Sequence, residues 1–535
     1  MSVVAPARPG TDPGAGPAGL ASQRDGERSW LTATRLSRTG LAVALLVGVG
    51  LRLWSPSKLW LDETLTVNIA SVPLHDLQGA LRRDGAPPVF YLLLHGWIRL
   101  FGSGTVAVRL LPGLIGACAL PLMWLVGRRI GSVTTAWTAT LLLATSPFAI
   151  KFSSEVRMYS LVVVLTLLGA LALLRMLERP TIGRGAALGL ATVTLALTHY
   201  WAFYLVAATA ACLLLVARRR ERRAPALAAL AAMAAGGVLF LPWLPTFVFQ
   251  IRHTGTPWAP PATFANVVNA VGAWAGGGTT AGRAIELLVL ALFGLGLFGR
   301  AVDGRRVELD LHARPAARPL ALVALGGLVL ALAAGVLVHG GFAPRYTSIV
   351  FAPFVLICAL GLEALPRRRF QPVVLVLAVL LGYANSALVL TDDTKTQAGF
   401  VAADINATAV PGDVVVYCPD ELGPSVSRLA KPGLTQFVYP TGAGPAFVDW
   451  VDFARRNTAA SVPAFADLVA GRSAGHTLYL VANDGFRTYE GQCNALINEV
   501  SSRRGAGHIV EQPARGYNEQ AIVLRFPAPM VPAGG

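Results

Sequence analysis

The chain has 535 residues, of which 54% are hydrophobic and only 14% charged, with a formal net charge of +16 and a mean hydropathy of +0.56. Roughly a quarter of residues are charged in an ordinary soluble protein, so this composition excludes one. A net charge of +16 would by itself suggest nucleic-acid binding, and the positions of the charges decide against that.

Residues 1–37 are rich in Gly, Pro, Ala and Arg without an apolar pattern and predict a disordered cytoplasmic tail. Apolar runs long enough for a hydrocarbon core of about 30 Å then recur along the chain. They predict eleven spans, near 38–54, 105–127, 133–150, 158–174, 186–200, 201–217, 226–245, 284–299, 319–338, 346–365 and 371–390. No small-residue cleavage pattern follows the first, which reads as an anchor and not as a removed signal peptide. With the N-terminus inside, the inward segments hold 23 basic residues and the outward connections 10, as the positive-inside rule requires. The inward cations include Arg128 and Arg129, the run from Arg218 to Arg223, and Arg367, Arg368 and Arg369.

The first outer loop opens with Trp60-Leu61-Asp62-Glu63-Thr64. Two carboxylates at a water interface are candidates for a general base, or equally the acidic first turn of a surface helix from about Asp62 to Ala70. The loop continues through Arg82-Arg83-Asp84-Gly85-Ala86-Pro87-Pro88 into an apolar stretch of about 13 residues ending at Phe101-Gly102. That stretch is short for a crossing and suits an interfacial or re-entrant helix.

The second outer loop reads Lys151-Phe152-Ser153-Ser154-Glu155-Val156-Arg157-Met158-Tyr159. Arg157 and Lys151 are suited to hold a phosphate, the one by a bidentate fork and the other as a point charge. The alternative is an interfacial anchor with an internal Glu155 to Arg157 pair. Thr198-His199-Tyr200-Trp201 caps the fifth span, and a loop from about Phe247 to Arg283 carries Gln250, Arg252, His253 and Trp258. His199, Tyr200, His253 and Trp258 are possible substrate-binding residues; for His199 and Trp201 the interfacial aromatic belt is the stronger alternative. The turn from His339 to Tyr346 leads into the tenth span, where Arg345 is costly unless it meets an anion.

From Thr391 the composition turns polar, with 11 basic and 14 acidic residues. Strand-like runs at Asp413–Tyr417, Thr477–Ala482 and Ala521–Phe526 alternate with helical patterns at Gly399–Thr408, Ala446–Arg456 and Tyr489–Arg504, which predicts an extracytoplasmic α/β domain over 391–535. Cys418 and Cys493 both fall there and are either a disulfide or two buried thiols. No nucleotide-binding or metal-binding spacing occurs, so no cofactor or metal is expected.

Several motifs occur in a set order: Asp62-Glu63; Pro87-Pro88-x-x-Tyr91-x-Leu93-Leu94; Arg109-Leu110-Leu111-Pro112; Ser153-x-Glu155-x-Arg157-Met158-Tyr159; and Arg345-Tyr346. In that order and on one side, they resemble the polytopic C-fold glycosyltransferases, specifically the protein O-mannosyltransferase and lipid A aminoarabinose transferase group, over about residues 38–390. The resemblance implies an α-helical polytopic membrane protein of the plasma membrane. It would move a mannose- or arabinose-like sugar from a polyprenyl-phosphate donor to a protein, lipoglycan or polysaccharide hydroxyl on the outer face.

The resemblance also implies Asp62 as the base with Glu63 beside it, Glu155, Arg157 and Tyr159 near the reaction centre, and Arg345, followed by Tyr346, at a phosphate-facing position. Lys151 joins them on charge alone. Two other readings stay open: a transporter or flippase of a lipid-linked or small solute, and a sensor or scaffold working through the outer domain.

Overall fold

The computed structural model describes residues 38–277, 282–302, 306–338, 340–366, 370–391 and 395–528. The predicted tail, His339 and the arginines 367–369 lie outside the described residues. Among the described residues six helices are long and apolar enough to cross a membrane: Thr105–Ile130, Tyr159–Glu178, Arg220–His253, Arg318–Leu337, Pro344–Glu363 and Phe370–Thr391. The pair Val133–Thr145 and Pro147–Ser153, bent by 57°, would make a seventh.

Seven of the eleven expected spans coincide with these helices and the bent pair, and three others fall on shorter helices. At about 1.5 Å per residue a crossing needs roughly 20 residues, whereas Ile182–Ala196 has 15 and Ala202–Ala217 and Arg283–Phe298 have 16 each. Apolar run length had counted turn residues such as Leu197 to Trp201 as helix. The seventh expected span instead runs on to His253, so Gln250, Arg252 and His253 lie on a helix and not in a loop. The loop that follows holds a further helix, Phe264–Trp274.

Local chemistry explains the bend. Pro147 has no N–H to give the carbonyl four residues back. The buried Arg52 takes over there, donating to Leu143 O at 2.5 Å and Ala144 O at 2.8 Å, while Ser146 Oγ caps the new helix through Ala149 N. Elsewhere the helices approach to backbone contact. A Cβ at Gly361 would lie 1.8 Å from Leu292 O, so Arg283–Phe298 and Ser348–Glu363 can only pack this closely with glycine there.

Three short helices follow the first: Leu61–Ser71, Leu74–Asp84 and Val89–Phe101. The second ends at Gly85, whose φ of +85° and 2.7 Å approach to Thr254 Oγ1 exclude a side chain.

The C-terminal region is built on a five-stranded sheet. After a small hairpin at Gly299–Val302 (β1) and Arg306–Leu309 (β2), the strands are Val414–Cys418 (β3), Thr435–Val438 (β4), Leu478–Ala482 (β5), His508–Glu511 (β6) and Ile522–Phe526 (β7), in the order β4-β3-β5-β7-β6. β3 pairs in parallel with β4 and β5; β7 runs antiparallel to β5 and β6. Alternation along β3 sends Val414, Val416 and Cys418 to one face and Val415 and Tyr417 to the other. Helix Ala398–Thr408 covers the second face, and Val462–Arg472 and Gln492–Arg504 cover the first. A disulfide joins Cys418 to Cys493. The stretch Ala446–Arg456, expected to be helical, is irregular or turn up to Asp452, with helix only at Phe453–Thr458. Leu61 and Leu65, one turn apart, are buried in the first-face core with Val414, Phe437 and Phe526.

Candidate active site

The helix Leu61–Ser71 is apolar on the side that enters the C-terminal core, which turns its two acids in different directions. Glu63 is 0% exposed and grips Arg109 bidentately, with Nε to Oε1 at 2.9 Å and Nη2 to Oε2 at 2.6 Å; Val156 N also donates to it at 3.0 Å. Burial pushes this carboxyl up, but the charges of Arg109 and Lys395 and the bonds from Arg109 and Val156 hold it below its ordinary pKa. Arg109 also donates to Ser57 O and Lys58 O. Glu63 therefore locks the helix to the second loop and to Thr105–Ile130, with its acceptors already used.

Asp62 keeps 16% side-chain exposure, and its Oδ2 lies 3.1 Å from Arg345 Nη2. The Arg345 guanidinium sits over Trp258 at 4.6 Å, Trp60 at 5.5 Å and Tyr346 at 5.8 Å. Arg157 reaches the same helix, donating from Nη1 to Thr66 Oγ1 at 2.8 Å and to Asp62 O at 3.4 Å. Buried donors remain at Trp60 Nε1, Arg157 Nε and Arg345 Nε, none with an acceptor among the described residues. Unused donors on two guanidiniums beside a carboxylate line a recess whose chemistry suits an anion.

Aromatic rings wall the recess. Tyr159 packs on His199 at 5.9 Å, and His199 on Tyr346 at 5.2 Å. Burial, with the charges of Arg157 and Arg345, pushes His199 down to about 3, so the ring is neutral at ordinary pH. Glu155 is buried and paired with Lys395 at 3.2 Å, so the expected internal pair with Arg157 does not form.

Three candidates lie apart from the Asp62–Arg345 pair. Lys151 is exposed, its ammonium 5.9 Å from the Phe152 ring. Tyr200 bonds Gln250 and Trp243. His253 meets Asp452 at 3.3 Å, at a junction with the C-terminal region.

Sequence reasoning missed several partners. Arg109 stands within a quoted motif, where a lone arginine opening an apolar span was the available signal. Asp84 takes the Tyr91 hydroxyl at 2.9 Å, and burial raises its pKa against the opposing charge of Arg157. Lys395 and Glu519 carried no local signal. Among the described residues, no group of three His, Cys, Asp or Glu is placed to hold a metal ion.

Residues 85–245 match the dolichyl-phosphate-mannose-protein mannosyltransferase family. In structure the chain is similar to ArnT from Cupriavidus metallidurans in the apo state, with a TM-score of 0.61 at 15% identity over 92% of this chain and 98% of that one. The same bacterial protein bound to undecaprenyl phosphate gives a TM-score of 0.59 at 14% identity over the same shares. The chain has the C-type glycosyltransferase fold. No curated protein matches it in sequence. Because the C-type likeness spans 92% of this chain, it takes in most of the C-terminal region as well as the helices.

Proposed function

We propose that the protein transfers a mannose- or arabinose-like sugar from a polyprenyl-phosphate donor to an acceptor hydroxyl on a protein, lipoglycan or polysaccharide. The observation that carries this reading is the contact of Asp62 with Arg345 beside Arg157, one carboxylate facing two guanidiniums with unused donors. Asp62 takes the acceptor hydroxyl proton, the acceptor oxygen bonds to the anomeric carbon, and the bond from that carbon to the phosphate oxygen breaks with its electron pair. Arg157 and Arg345 stabilise the charge that gathers on the departing lipid phosphate. One displacement inverts the anomeric centre.

The donor phosphate draws Arg345 away from Asp62, which frees the carboxylate to act as a base only once the donor is in place. The site faces the extracytoplasmic side, with the N-terminus cytoplasmic and the C-terminal region outside; the excess of inward arginines supports that orientation. The bound undecaprenyl phosphate in the similar ArnT structure supports the donor class. The test is purified protein in liposomes with a polyprenyl-phosphate sugar of known anomer and a soluble acceptor glycan, with the product linkage read by NMR. An inverted linkage is expected; retention would remove the single displacement, and no product would remove the transferase reading.

A further inference from the structure

The helix that carries Asp62 begins without a cap of its own. Its N-cap is Trp60, which offers no side-chain acceptor, so the N–H groups of the first turn need partners from elsewhere. One comes from the far end of the chain: Glu519 Oε1 accepts from Leu61 N at 2.5 Å, across a sequence separation of 458 residues.

Glu519 is itself fixed on every side. It is 5% exposed, its Oε2 accepts from Ser425 Oγ at 3.1 Å, its N–H donates to Lys395 O at 3.0 Å, and its carbonyl accepts from Gln397 N at 3.0 Å. The segment that anchors it also reaches the second loop, because Lys395 pairs with Glu155 at 3.2 Å.

We infer that Glu519 is a positioning residue for Asp62: the C-terminal region reaches back and caps the helix that presents the proposed base, one residue before that base. The inference rests on the transferase reading above. A helix whose first turn frays at Leu61 moves Asp62, the next residue, relative to Arg345 and the acceptor hydroxyl, and such misplacement is costly to turnover. The C-terminal region is thus a working part of the site, and its shared core with Leu61 and Leu65 sets the same helix from the side.

The test separates reach from ionisation. Glu519→Gln keeps an oxygen at the same distance and removes the ionisable carboxyl; Glu519→Asp keeps the carboxyl and withdraws it by one methylene. Turnover is measured in liposomes with a polyprenyl-phosphate sugar, normalised to polyprenyl phosphate bound per protein. Glu519→Gln is expected within about twofold of wild type, and Glu519→Asp to lose about tenfold or more in kcat with the donor KM little changed. Where the Asp variant does not fold, Glu519→Met, of similar size and without an acceptor oxygen, carries the same expectation.

An active Asp variant with an inactive Gln variant would overturn the inference in favour of an effect of ionisation. Both variants within twofold of wild type would overturn it outright. Wild-type protein without transfer would instead remove the transferase reading on which it rests.

Discussion

Asp62 and Arg345 meet at 3.1 Å although 283 positions separate them in the chain, and each is the nearest opposite charge the other has in the recess. Before the donor arrives, the proposed base and the proposed phosphate ligand neutralise each other. On the proposed reading a donor phosphate would compete for the guanidinium, which would tie activation of the base to donor binding.

If Arg345 holds the donor phosphate as proposed, Arg345→Ala removes charge-assisted bonds that contribute about 1.5–3 kcal/mol each. The expected result is a donor KM raised by about tenfold or more, with Arg345→Lys intermediate because an ammonium lacks the fork. Steady-state kinetics against polyprenyl-phosphate sugar checks this; an unchanged donor KM would remove Arg345 from the phosphate site.

The Thr66 hydroxyl accepts from Arg157 at 2.8 Å and donates to the carbonyl of Asp62 at 2.6 Å, so it ties the guanidinium to the helix that carries Asp62. Thr66→Val keeps the shape of the side chain and deletes the acceptor. Turnover is expected to fall by about tenfold or more, the loss of one hydrogen bond to a charged group, while Thr66→Ser retains activity. Equal activity in the Val and Ser variants would show that this bond does not place Arg157.

The Glu63–Arg109 pair is a matter of stability. Both side chains are almost fully buried, and removing one partner leaves the other charge unpaired at a cost of roughly 3–5 kcal/mol. Arg109→Ala should therefore lower the thermal unfolding midpoint in detergent. The Glu63 carboxyl is held below its ordinary pKa in the folded protein, so its contribution is present above the unfolded-state pKa and is lost as pH falls through the folded value. Acid sensitivity should be weaker in Glu63→Gln than in wild type, though that variant starts from a lower stability.

Glu519 has the opposite sign. Burial pushes its carboxyl up to about 8, so folding favours the protonated form. Its contribution is fully present below the unfolded-state value of 4.5 and is lost as pH rises through about 8. Unfolding midpoints measured from pH 5 to pH 9 should decline in wild type, and Glu519→Gln should flatten the decline. An identical slope in both would assign it to other buried acids, of which Asp420, pushed up to about 7 by burial, is the nearest in kind.

What could be read in the sequence followed from scarcity. In an apolar chain, Asp62, Glu155, Arg157 and Arg345 stand out because charge at the end of a span must have a reason, and the fold brings all four around one helix and one loop. What could not be read was pairing at distance. Nothing near Glu63 names Arg109 as its partner, and nothing near Leu61 points to Glu519, since the acceptor lies in another layer of the molecule.

Span boundaries were misplaced where hydropathy sums a helix and its turn alike, as at Leu197 to Trp201. The loss of helix from Ala446 to Asp452 had a different cause. Asp452 adopts a left-handed φ of 49°, and Trp450 N bonds Arg83 O in the second short helix, so a tertiary contact overrides the local helical pattern. Strands β4 and β6 went unseen because each has only four residues and lies at a sheet edge.

The central claim is that this site transfers a sugar from a lipid phosphate by means of Asp62. The most direct measurement counts polyprenyl phosphate released and glycosylated acceptor formed in one reconstituted reaction, for wild type and for Asp62→Asn. The account predicts one acceptor glycosylated per lipid phosphate released in wild type. For Asp62→Asn it predicts a loss of about 10²–10⁴-fold in both products, with binding of polyprenyl phosphate retained. Full turnover by Asp62→Asn, or lipid movement across the bilayer without bond cleavage in wild type, would contradict it.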